Sequence, residues 1–103
     1  MVKHIVLFKL KEHAEGASRT ENAQLLKERI EGLRGRIPGL LSLEVGVGFP
    51  GNEETYDLAL VATLESREAL AAYQEHPLHK AVCEQIRPRR LSRAVVDYEV
   101  CKE

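Results

Sequence analysis

Residues 2–10, VKHIVLFKL, alternate between two sides: Val2, His4, Val6, Phe8 and Leu10 on one, Lys3, Ile5, Leu7 and Lys9 on the other. A period of two predicts a strand, here with both faces apolar at its centre. The polar stretch KEHAEGAS follows and reads as a loop in which His13 is solvated. Ser18 with Glu21 three residues on matches a capping box, so a helix starts at 18–20. Leu26, Ile30, Leu33 and Ile37 then recur at helical spacing, Gly32 and Gly35 weaken the end, and Pro38-Gly39 stops it. The pattern returns to period two over LLSLEVGVG (40–48), with Leu41, Leu43, Val45 and Val47 expected on one face. After the turn-rich FPGNEET, YDLALVATL (56–64) reads as a nearly continuous apolar strand. Ser66 opens a helix through Ala69, Leu70 and Tyr73. His76 precedes Pro77, which disfavours helix at 76 and suits the first turn of a new one. Leu78, Val82 and Ile86 stripe that second helix, which ends before Pro88, and SRAVVDYEV (92–100) is the last strand.

Strand, helix, strand, strand, helix pair, strand is the split βαβ order. It predicts a single α+β domain over 2–100 with a ferredoxin-like, four-stranded antiparallel sheet and helices on one face. The other face would then expose Ile5, Leu7, Ala59, Val61 and Val95, an apolar patch of the kind that marks an interface. A symmetric homodimer, sheet against sheet, removes it.

Composition narrows the function. A formal charge of -1 argues against a nucleic-acid or acidic-membrane partner. No apolar run approaches the roughly 20 residues of a membrane span, and the N-terminal stretch lacks a small-residue cleavage site. Cys83 and Cys101 are too far apart for a local metal motif and read as reduced thiols of a cytoplasmic protein.

The candidate chemistry sits in AYQEHPLHK (72–80), which holds Tyr73, His76 and His79. Three readings compete. The segment is a helix corner with polar side chains; or His76 and His79 bind metal, although Pro77 separates them and no further ligand motif accompanies them; or Tyr73 and His79 form an acid–base pair. Histidine exchanges protons near neutral pH, and a tyrosine hydroxyl stabilises charge developing on a carbonyl oxygen. His4 favours a pocket, because a histidine on the apolar face with Val6 and Phe8 needs a partner or a cavity. Cys83, one turn after His79, reads as a small hydrophobe or as a Cys-His pair. Arg87, Arg89 and Arg90 around Pro88 suit either an anion or a charged rim.

VKHIVLFKLK, IPGLLSLEVGVG, YDLALVATLESREALAAYQEHPLHKAV and SRAVVDYE resemble the stress-response A/B barrel (Dabb) domain across residues 2–99. The His-Pro-x-His segment behind a Ser-x-Glu-Ala-Leu helix start is the most specific part. The resemblance implies two subunits joining sheets into an α/β barrel, with a small-molecule pocket between sheet and helices. The family includes plant stress proteins without an agreed reaction and a plant polyketide cyclase that performs an intramolecular aldol condensation. It implies Tyr73 and His79 as the catalytic pair and His4 as a pocket residue, with Val6, Phe8 and Leu58 on the same lining. Leu58 stands where the cyclase has a pocket histidine, and Leu25, Leu26 and Arg29 stand where it has aromatics. The expectation is therefore a homodimeric Dabb protein that binds a small apolar or carbonyl-bearing ligand, with a lyase or cyclase reaction as the alternative. No metal and no cofactor are expected.

Overall fold

The computed structural model describes residues 1–100 of the chain; Cys101 lies outside them. In chain order the elements are β1 (Val2–Leu10), β2 (His13–Ala14), β3 (Ala17–Ser18), α1 (Arg19–Glu31), β4 (Leu40–Val47), β5 (Leu58–Leu64), α2 (Arg67–Glu75), α3 (Pro77–Ile86) and β6 (Arg90–Glu99). The main sheet is four-stranded in the order β4-β5-β1-β6, and each neighbouring pair is antiparallel. This is the ferredoxin-like α+β arrangement that the element order predicts. No helix among the described residues is long and apolar enough to cross a membrane.

Local chemistry explains most boundaries. Ser18 accepts from the Glu21 amide while the Glu21 carboxylate accepts from the Ser18 amide, closing the capping box. The helix ends earlier than the spacing suggests, at Glu31 with Gly32 as its C-cap, and Leu33 and Ile37 reach the core from the turns that follow. The stretch read as a loop carries a small hairpin, β2–β3, turned by Glu15 and Gly16 at φ 52° and 76°. His13 is exposed on it, as expected. Asn22, 1% exposed, ties this hairpin to α1: its amide donates to the Ala14 and Ala17 carbonyls, and its oxygen accepts from Arg89. Gly39 sits at φ 83° where a Cβ would come within 2.8 Å of the Ala69 Cβ, so the α1–β4 turn packs against α2 only with glycine there.

The helices cover one face of the sheet. Val6, Phe8, Leu10, Leu26, Ile30, Leu43, Val45, Leu58, Leu60, Ala62, Leu64, Tyr73, Val82 and Ile86 form the core beneath them. Alternation along β1 is kept throughout, with Val2, His4, Val6, Phe8 and Leu10 buried. Two bulges break it elsewhere. In β4 the register with β5 slips between Leu40 and Ser42, so Leu40 takes the inward place expected for Leu41, which is 51% exposed. In β6 the register with β1 slips opposite Lys9 and Leu10, leaving Leu91 61% exposed. One inserted residue inverts alternation on either side of it.

The outer face carries Ile5, Leu7, Ala59 and Val61, all half-buried, with exposed Val96 and Tyr98. Val95 does not belong to it. It pairs with Val6 and so points to the helix side, while Val96 pairs with Ile5.

Candidate functional site

The corner between α2 and α3 builds the site. His76 precedes Pro77 and is held extended at ψ 134°, which ends α2; Pro77 then opens α3. Breaking the helix here reassigns its hydrogen bonds. The Leu78 amide, whose helical partner would be the Gln74 carbonyl, donates instead to His76 Nδ1 at 3.1 Å. His76 thus caps α3. The vacated Gln74 carbonyl accepts from His79 Nδ1 at 3.2 Å. That bond leaves Nε2 of neutral His79 as the ring's lone-pair nitrogen.

Tyr73 projects from the last turn of α2 and is 1% exposed. Its ring lies 4.4 Å from the His79 ring, centroid to centroid, and 6.0 Å edge-on from His4. Burial pushes the Tyr73 hydroxyl up to about 12, with neighbouring Cys83 adding to the effect. Among the described residues the hydroxyl has no hydrogen-bond partner in the protein. His79 is half-buried, and that burial moves it below the usual histidine value; the Gln74 carbonyl opposes the shift, while His4, Arg93 and His76 add to it. Near neutral pH the pair is therefore a protonated phenol beside an unprotonated imidazole.

His4 enters from β1, 3% exposed, and its Nδ1 donates to Asp97 directly across the β1–β6 ladder. Asp97 was not anticipated from the sequence. The signal available was its inward register opposite a buried histidine, hidden by uncertainty over which side of β6 faces the helices. Cys83 Sγ lies 3.6 Å from His79 Nε2 and 3.7 Å from Nδ1, against the ring rather than on one lone pair. Burial raises the thiol although Arg93, Arg87 and Arg90 pull it down, so it stays protonated. Among the described residues no three His, Cys, Asp or Glu side chains converge as a metal would need.

These groups surround one cavity of about 270 Å³ between sheet and helices. His4, Val6 and Phe8 of β1, Leu60 of β5, Tyr73, and His79, Val82, Cys83 and Ile86 of α3 line it, with Arg87, Arg90 and Arg93 also on its wall. Leu58 does not. It is buried in the core, paired with Phe8 and Val47, while Leu60, paired with Val6 and Val45, takes the lining position. The two point the same way but sit one pleat, about 7 Å, apart along β5.

The family model for the stress responsive A/B barrel domain (Dabb) matches residues 2–100. The chain belongs to the Dabb family. An uncharacterised protein of Streptomyces coelicolor is 34% identical over 82 residues, covering 79% of this chain and 81% of its own. A dimeric ferredoxin-like protein of unknown function from Bacteroides fragilis is 34% identical, with a TM-score of 0.84 and coverage of 96% and 95% of the two chains. A hydroxynitrile lyase from Passiflora edulis shares the fold at a TM-score of 0.80 over 99% and 94% of the chains, and at 14% identity that likeness is one of fold. The Dabb assignment accords with the four-stranded antiparallel sheet and its strand order.

Proposed function

We propose that this Dabb protein is a homodimer that binds a small carbonyl compound in the cavity and moves a proton on it. His79 Nε2 takes a proton from carbon beside the carbonyl, and the Tyr73 hydroxyl donates to the oxygen as enolate charge develops. The observation that carries this reading is the Tyr73–His79 contact on the cavity wall, with each group in the protonation state its role needs. A base must be unprotonated and an oxyanion donor must keep its proton. The helix break at Pro77 supports it further, since the Gln74 carbonyl holds His79 in one tautomer. His4, held by Asp97, offers its remaining nitrogen to the same space. Enolate formation of this kind is the first step of an aldol condensation, and it calls for no cofactor.

The dimer reading rests on the uncovered outer face, where Ile5, Leu7, Ala59, Val61, Val96 and Tyr98 form an apolar surface without helices. The Bacteroides fragilis relative is itself dimeric. A second copy placed sheet against sheet buries the surface symmetrically.

The test of the reaction is deuterium uptake at the carbon between the carbonyls of methyl acetoacetate, followed by proton NMR. The protein should accelerate uptake over buffer, and His79→Ala should return it to the buffer rate. A protein that binds the ester but never accelerates uptake would be a binding protein, and the catalytic reading would fall.

A further inference from the structure

We infer that the ligand carries an anionic group, a carboxylate or a phosphate, seated on Arg87, Arg90 and Arg93 at the mouth of the cavity. The inference takes the cavity of the proposed function as the binding site and adds the substrate's charge.

The three arginines come from two elements that the fold brings together. Arg87 is the C-cap of α3; Arg90 and Arg93 lie on the edge strand β6. Strict alternation would send Arg90 and Arg93, three residues apart, to opposite faces of the sheet. The bulge at Leu91 prevents this: Arg90 pairs with Leu10 and Arg93 with Phe8, both helix-side positions of β1. A bulge beside a cavity that re-aims a side chain into it is a recurrent device. Arg87 and Arg93 are exposed and Arg90 is half-buried, whereas His4, Val6, Phe8 and Leu60 on the sheet side of the cavity are buried. The cavity thus runs from a cationic opening to an apolar floor beside Tyr73 and His79.

Nothing in the chain neutralises that opening among the described residues. No Asp or Glu lines the cavity, and none of the three arginines takes part in an ion pair, although Arg19, Arg34 and Arg67 elsewhere do. The neighbouring Arg89 is used differently, donating to Asn22 and to the Gln85 carbonyl, so it is part of the scaffold. The three guanidiniums also act on the site: all pull the Cys83 thiol down, and Arg93 disfavours a proton on His79. Guanidinium forks match carboxylate and phosphate oxygens bidentately. An anion seated there would leave the carbonyl end of a small molecule facing His79.

Binding isotherms with matched probes test this: acetoacetate against methyl acetoacetate, and dihydroxyacetone phosphate against dihydroxyacetone. At least one anion should bind about tenfold or more tightly than its neutral partner, a preference that weakens with added salt. Whichever pair shows it identifies carboxylate or phosphate. Arg90→Gln with Arg93→Gln should erase the preference at an unchanged melting temperature, and Arg93→Lys should keep part of it. Equal binding of each anion and its neutral partner, or a preference that survives the double glutamine variant, overturns the inference. The two proposals fail separately. Anion preference without deuterium uptake removes the reaction and leaves the arginine site; uptake without anion preference does the reverse.

Discussion

Replacing Tyr73 by Phe separates a structural tyrosine from a chemical one. The ring is 1% exposed and makes its contacts to His79 and His4 through its faces and edge, all of which Phe retains. The hydroxyl has no protein hydrogen-bond partner among the described residues, so its removal strands no buried donor or acceptor. Stability should therefore change by less than about 0.5 kcal/mol. For a chain of 103 residues that is a melting-temperature shift of roughly 2–4 °C at most. Losing a donor aimed at a developing oxyanion costs roughly 10²–10³ in rate, about 2.7–4 kcal/mol of barrier. The variant should thus melt like the parent and exchange deuterium into methyl acetoacetate at least a hundredfold more slowly. Thermal denaturation by circular dichroism and proton NMR of the ester give the two numbers on one sample. A variant that exchanges within about threefold of the parent refutes the oxyanion role. One whose melting temperature falls by more than about 8 °C refutes the unpartnered hydroxyl, since that loss implies a native partner worth over 1 kcal/mol.

Other substitutions probe the rest of the account. Val61→Asp puts a charge on the half-buried outer face opposite Ile5 and should abolish the dimer and often folding, because an unpaired buried charge is costly; light scattering that still finds a dimer contradicts the sheet-to-sheet interface. His76→Ala removes the cap on Leu78 and should cost about 1 kcal/mol in urea denaturation, whereas His76→Asn restores a capping side chain and should hold stability and ligand affinity near the parent's. Asp97→Asn weakens the acceptor of buried His4, and with the Asp97 side chain 36% exposed the expected loss is about 1 kcal/mol; no measurable change in urea denaturation would show that the pair contributes nothing.

What could be seen in the sequence depended on how each element announces itself. The β1 face, the capping box at Ser18 and the corner at His76-Pro77 are local, and each appears where its residues indicate. The bulges are not local. Nothing in LLSLEV or RRLSRAVV marks an inserted residue, so alternation puts Leu41 on the wrong side and does not place Arg93 beside Arg90, while the side that Val95 takes is set only by its pairing with Val6. Depth along a strand is also invisible to alternation. Leu58 and Leu60 share a face, and only the position of the helices over β5 makes Leu60 the lining residue. His79 was legible as a candidate, but its anchor, the Gln74 carbonyl, is a backbone group freed by the helix break and has no side-chain signature. Asp97 depends on the cross-strand register of β6 with β1, which the residues of β6 do not announce by themselves.

The most direct measurement of the central claim is the pH–rate profile of deuterium uptake, recorded for the parent and for His79→Ala. Burial favours neutral His79 and holds it below the ordinary histidine value of about 6.5, so the rate should hold through pH 7 and fall on a single acid limb beneath about pH 6.5. The same shift has a stability counterpart: between the folded and unfolded values the unfolded chain binds more protons, so stability also declines as pH drops through that window. Melting temperatures at each pH separate the two effects. With Tyr73 pushed up to about 12, no alkaline limb should appear up to about pH 10. In His79→Ala the acid limb should vanish together with the rate above buffer. A profile whose limb lies above pH 7, or persists unchanged in His79→Ala, would contradict His79 as the base.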